Sequence, residues 1–197
     1  MVNANRLWHK QGVKPPRSGP RPRPPLTAAK LDELALHYVG RFATSKGKLV
    51  DYLWRKVRER GWEGERDADP VAVAERLASY GYVDDAAFAL SKARALGGRG
   101  YGARRVGQAL HAARINDDDG AAARELAEDE RVDAALRMAR KRRVGPYAIA
   151  PLDPVQREKA IGAMIRAGHG FALARAIVAL APGQIPADED IPDLRTL

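Results

Sequence analysis

The chain has 197 residues, a net charge of +9, 45% apolar and 6% aromatic residues, abundant alanine and no cysteine. Disulfides and thiolate metal sites are therefore excluded, and no run approaches the roughly 18 apolar residues that span a bilayer. The basic N-terminus is not followed by an apolar segment, so a secretory signal is not expected and the chain reads as cytoplasmic. Charge is unevenly spread. Residues 1–25 carry +6, residues 182–197 carry −3 and the middle carries +6. A basic body suggests an acidic partner, nucleic acid first.

In chain order, residues 1–25 hold Pro15, Pro16, Pro20, Pro22, Pro24 and Pro25 among arginines and lysines and read as a disordered arm. Thr27 caps a first helix over 28–43, with Leu31, Leu34, Ala35, Tyr38 and Phe42 at helical spacing. Ser45 caps a second over 46–60, striped by Leu49, Leu53 and Val57 and closed by Gly61. Asp69-Pro70 opens a third that runs to about Tyr80 and stops at Gly81. Asp84 caps a fourth over 85–96, which ends at Gly97-Gly98. A fifth covers 102–113, with Val106, Ala109 and Leu110, and a sixth follows the acidic stretch from Asn116 to Asp119. The seventh, 130–142, carries Arg140, Lys141 and Arg142 at its negative end. After a loop over 143–152, Asp153-Pro154 opens an eighth helix to about 167, and a ninth spans 171–181. No segment alternates convincingly enough for a strand.

The second, fifth and eighth helices end on related junctions, Gly61-Trp62, Arg114-Ile115 and Gly170-Phe171. The first two place apolar residues four and eight positions earlier; the third does so with a one-residue shift, at Ile165 and Ile161. A rival alignment pairs Arg99-Gly100-Tyr101 with His169-Gly170-Phe171. The first register gives an all-α fold of three tandem three-helix, helix-turn-helix-like units at 26–82, 83–128 and 129–181, with an acidic tail at 182–197.

The segment Tyr80-Gly81-Tyr82-Val83-Asp84-Asp85, followed by Phe88-Ala89, is the most distinctive in the chain. It resembles the Gly-Tyr-aliphatic-Asp-Asp…Phe-Ala signature of the RecX regulatory family. The helix from Ser45 to Trp62, the Arg-rich helix from Arg99 to Ile115, and the pieces 135–143 and 157–171 resemble that family's pattern in the same order. The resemblance covers about 28–181 and implies an elongated, curved body of three units. It also implies binding to the RecA recombinase filament on single-stranded DNA, with inhibition of ATP hydrolysis, strand exchange and coprotease activity.

Within the signature, Gly81 stops a helix and Asp84 and Asp85 start one. Adjacent carboxylates at a helix start do not converge on one ion, so capping and dipole compensation explain them better than a metal. Tyr82 and Phe88 read as core. The binding candidates are cationic: Lys48, Arg55 and Arg58 on one face of the second helix, Arg99, Arg104 and Arg105 around the fifth, and Lys141 and Arg142 ending the seventh. Matching faces in successive units would form a basic strip for acidic filament surfaces or phosphates. Alternatively each is a solvated charge, and Asp51 and Arg55 merely pair.

The glycine-rich run Gly97-Gly98-Arg99-Gly100-Tyr101-Gly102 lacks the Gly-Lys-Ser/Thr ending of a phosphate loop and reads as a flexible hinge. His9, His37, His111 and His169 have no metal spacing. No catalytic constellation and no cofactor are expected. A monomer binding RecA filaments, with single- or double-stranded DNA as a further contact and no membrane, is the first reading. A helical protein that binds nucleic acid directly is the second.

Overall fold

The computed structural model describes residues 23–186. The arm residues 1–22 and the tail residues 187–197 lie outside the described residues. Among the described residues the chain folds into nine α-helices: α1 (Ala28–Val39), α2 (Lys46–Arg60), α3 (Pro70–Ser79), α4 (Asp85–Gly98), α5 (Ala103–Ala112), α6 (Asp117–Asp129), α7 (Arg131–Arg142), α8 (Pro154–Arg166) and α9 (Phe171–Ala179). The caps read from sequence are made. The side chains of Thr27, Ser45, Asp69, Asp84, Asn116 and Asp153 each accept a backbone N–H three residues on. Asp153 and Gln156 complete a reciprocal capping box. Each such cap contributes about 0.5–2 kcal/mol.

The nine helices enclose three apolar clusters. Leu26, Leu31, Leu49, Leu53, Val73, Leu77 and Val83 form the first. Val106, Leu110, Ile115 and four alanines form the second. Val132, Met138, Met164, Leu173 and Ile177 anchor the third. Alanine dominates the middle cluster because α4 packs closely on both α5 and α6 there. Leu26 joins the first cluster from outside the helices. Its N–H donates to Gly61 O at 3.0 Å and its carbonyl accepts from Glu63 N at 2.8 Å. Arg60 donates twice to Pro24 O, at 3.0 and 2.8 Å, so the chain is fastened from residue 24 onward.

Several expectations are corrected. The first helix stops at Val39 instead of reaching 43, and Phe42 is 51% exposed beyond it. Gly40 is its C-cap, donating to Leu36 O at 3.0 Å, and the buried Thr44 and Ser45 lead into α2. The fourth helix runs through Gly97-Gly98. The loop 143–152 contains a 3-10 turn, Gly145–Tyr147, with Pro146 buried against α9. The start of the acidic tail is held there, since Gly183 N donates to Pro146 O at 2.9 Å.

The repeat is sharper than the sequence suggests. The residues with positive φ that follow α2, α5 and α8 are Gly61, Arg114 and Gly168, 53 and 54 residues apart. The third junction is therefore Gly168, not Gly170. Four and eight residues earlier lie Val57 and Leu53, Leu110 and Val106, and Met164 and Ala160, all facing their clusters with no shift. Ile165, which the shifted register matches to Val57 and Leu110, is exposed.

These second helices also meet end to end. At α2, Ser45 Oγ donates to Ala113 O at the C-terminus of α5 (2.5 Å). At α5, Gly102 N donates to Ala167 O (3.0 Å) and Arg104 N to Gly168 O (3.2 Å) at the C-terminus of α8. Donor-bearing ends thus face acceptor-bearing ends, which satisfies orphan backbone groups and aligns dipoles favourably. Each junction needs glycine at its closest approach. Arg114, left-handed at φ 55°, lays its side chain over the place where a Cβ of Gly47 would stand. At the other junction the turn residue itself is glycine, since a Cβ on Gly168 would lie 2.5 Å from Arg105 N, and Gly102 stands opposite it.

Candidate functional site

The run read as a hinge is a packed joint. Gly97, Gly100 and Gly102 are buried. A Cβ at Gly100 would stand 2.9 Å from Met138 N, and one at Gly102 would press on Gly168 and 2.7 Å from His169 N. Arg137 Nε donates to Gly97 O at 3.1 Å, and His169 Nε2 lies 2.9 Å from Gly100 O. Only glycine lets the backbones of units two and three approach this closely.

That joint assembles charge. Arg99, Lys141, Arg142 and Arg166 converge around Tyr101 on a cleft of about 280 Å³ between α4, α7 and α8. Three of the four cations are candidates read from sequence, and no carboxylate lines the cleft. Arg166 escaped the reading because nothing in the local pattern brings α8 beside Arg99. The signal was present in the short run before Gly168, but it needed the correct junction register. Arg105 lies 6.0 Å from the centre of the Tyr101 ring, on the flank of the same joint, and reaches Gln108 at 3.4 Å. Arg104, also exposed, borders a separate pocket beside His169.

Lys48, Arg55 and Arg58 are all exposed on α2 but do not line the cleft. Arg55 packs over Tyr52 at 5.5 Å and pairs loosely with Glu59 at 3.7 Å. The alternative pairing of Arg55 with Asp51 is not made; Asp51 pairs across the junction with Arg114 at 3.0 Å. The α2 cations and the cleft cations are therefore two groups.

The signature residues divide by role. Gly81 takes φ 78° after α3, and Asp84 caps α4. Phe88 packs partly into the second cluster. Tyr82, expected in the core, is 56% exposed, because Val83 takes the inward position after the turn. Asp85 is only 6% exposed, and its Oδ1 accepts the backbone N–H of Lys46 at 2.8 Å. It therefore serves the start of α2 in the neighbouring unit as well as its own helix. Burial pushes its carboxyl above the usual range, while the hydrogen bond from Lys46 opposes that rise.

No group of three or more metal-ligating side chains occurs among the described residues, and none of their helices is long and apolar enough to cross a membrane. No family model matches the chain. The regulatory protein RecX of Myxococcus xanthus strain DK1622 is 31% identical over 180 residues, which span 84% of this chain and 92% of that protein. The chain belongs to the RecX family. The crystal structure of RecX from Lactobacillus salivarius superposes with a TM-score of 0.59, covering 86% of this chain and 97% of that one. At 16% identity it carries the fold alone. RecX membership makes this a regulatory protein and accounts for the all-helical architecture.

Proposed function

We propose that this chain binds the RecA filament on single-stranded DNA in the cytoplasm and restrains it, limiting filament growth, ATP hydrolysis, strand exchange and coprotease activity in DNA repair and the SOS response. It acts as a monomer, without chemistry of its own. The observation that carries the proposal is the cleft of Arg99, Lys141, Arg142 and Arg166, which holds four cations and no acid on a joint closed by backbone hydrogen bonds. A joint of that kind fixes the backbone from which these exposed side chains extend, so binding orders side chains without also ordering the backbone.

The α2 cations Lys48, Arg55 and Arg58, with Arg104 and Arg105, supply further contacts to acidic groove residues or phosphates. Two contacts linked by a rigid body gain from high effective concentration, and a body that bridges filament subunits opposes the movement coupled to ATP hydrolysis. The test is a titration of single-stranded-DNA-dependent ATP hydrolysis by the host's RecA. Suppression at a substoichiometric to near-equal ratio is the expected result, and unchanged hydrolysis and filament length would end the proposal.

A second reading, direct binding of nucleic acid, is favoured by Tyr101 in the cleft, whose ring offers a stacking face among cations. Tight binding to DNA alone, with a steep salt dependence, would favour it over the filament.

A further inference from the structure

The basic cleft continues into a second groove on the same two helices. A pocket of about 340 Å³ lies between α7 and the N-terminal half of α8 and shares Met138, Arg142 and Ala163 with the cleft. Its floor is apolar: Met138 and Met164 are buried and Leu152 is half-buried. Its rim is cationic: Arg142, Arg143 and Lys159 are all exposed. Cleft and groove together carry Arg99, Lys141, Arg142, Arg143, Lys159 and Arg166, and no carboxylate lines either. None of these cations forms an ion pair among the described residues. On α2, by contrast, Glu59 lies beside Arg55 and Lys56. Like charges along one strip repel each other, and an apolar floor beneath them favours an occupant that brings both acids and apolar side chains.

The chain itself carries such a segment. Residues 187–197 hold Asp188, Glu189, Asp190 and Asp193 against Arg195, with Ile191 and Leu194 among them. The described chain delivers this segment to the groove. Gly183 N donates to Pro146 O at 2.9 Å, and Pro146 stands just after Val144, which lines the groove. The eleven residues from 187 to 197 reach up to roughly 36 Å when extended. Along α8 the strip from Gln156 to Arg166 rises only about 15 Å. The segment is long enough to cover both pockets.

We propose that the α7–α8 groove is the docking surface for residues 187–197 of the same chain, with the acids on the cations and Ile191 and Leu194 toward the apolar floor. Tethering places the segment at the groove at an effective concentration of about the millimolar range, so even a weak contact is populated. The docked segment covers Arg142 and its neighbours and therefore competes with any acidic surface that the cleft grips, lowering the apparent affinity by the fraction of chains left open. The docking stands on the groove and the segment alone; that the excluded surface belongs to RecA rests on the filament reading.

The chain has no cysteine, so Thr196→Cys takes a single spin label. In the full chain at low salt, the label is expected to broaden the amides of Lys159, Ala163 and Arg166 and to spare those of Lys48, Arg55 and Arg58 on α2. Asp188→Asn, Glu189→Gln, Asp190→Asn and Asp193→Asn together should abolish the broadening, as should about 1 M salt, where charges are screened over roughly 3 Å. Ile191→Ser with Leu194→Ser, which keeps every charge, should weaken it. No broadening, broadening spread evenly over the surface, or broadening undiminished by loss of the acids overturns the proposal. Broadening of an unlabelled, isotope-enriched chain mixed with the labelled one assigns the groove to a second copy and overturns it too. Against RecA, the acid-free variant should suppress ATP hydrolysis at a several-fold lower concentration than wild type. Equal potency overturns the competition. Suppression by neither chain overturns the filament reading instead, and the amide result still decides the docking.

Discussion

Replacing Gly47 by alanine tests the end-to-end joining of α2 and α5. In an isolated helix the change would stabilise by roughly 0.5–1 kcal/mol, because glycine is the poorer helix former. In this fold the new methyl meets Cβ of Arg114, with Arg114 Cδ and Cγ at 3.1 and 3.3 Å. A Cβ cannot rotate away, so α5 must retreat from α2. The retreat loses the Ser45–Ala113 hydrogen bond and strands a buried carbonyl, at about 1–3 kcal/mol. It also breaks the exposed Arg114–Asp51 pair, which contributes about 0–1 kcal/mol. The net expectation is a loss of roughly 1–3 kcal/mol, within the ordinary range for overpacking.

Arg114→Gly in the same chain removes the obstacle. It also relieves a left-handed non-glycine residue at φ 55°, worth about 1–2 kcal/mol. The double variant should be at least as stable as the Arg114→Gly single variant, giving a coupling of about 1.5–4 kcal/mol in a double-mutant cycle read by urea unfolding. Additive effects, or an alanine variant more stable than wild type, would refute the packing argument.

Gly102→Ala should destabilise the joint of units two and three, because its methyl meets backbone of Gly168 and His169, whereas Gly107→Ala, with nothing within 4 Å, should stabilise by about 0.5–1 kcal/mol. Opposite signs in thermal melts are expected, and equal signs would deny the close approach. Asp85 carries a pH prediction. Its carboxyl is raised above the unfolded 3.8, so the folded state holds the proton more tightly and is favoured in acid; that advantage is lost as pH rises through the folded value. Asp85→Asn keeps an acceptor for Lys46 but cannot titrate. The stability of wild type relative to this variant should fall as pH rises above the unfolded 3.8 and through the raised folded value, and a flat or rising difference would contradict the assignment.

What was legible in the sequence was local. Thr27, Ser45, Asp69, Asp84 and Asp153 announce their helices because a cap acts within three residues, and all five cap as read. The misreadings share a cause. Gly97 to Gly102 looked like a hinge because glycine alone signals freedom, while its packing against Met138 and Gly168 joins residues tens of positions apart. Asp85 looked like an ornament of its own helix, because Lys46 is distant in sequence. Tyr82 looked buried because aromatic residues beside a turn usually are, and Val83 took the place instead. Of the cationic candidates, Arg99, Lys141 and Arg142 converge with the unforeseen Arg166, while the α2 group stands elsewhere.

The central claim is that the basic cleft grips the filament. Its most direct test compares the wild-type chain with an Arg99→Glu, Lys141→Glu, Arg142→Glu variant, matched for helicity and melting temperature, in single-stranded-DNA-dependent ATP hydrolysis by the host's RecA. Wild type should suppress hydrolysis at near-equal ratio, and the variant should fail to do so at the same concentration. Suppression by the variant equal to that of wild type would contradict it.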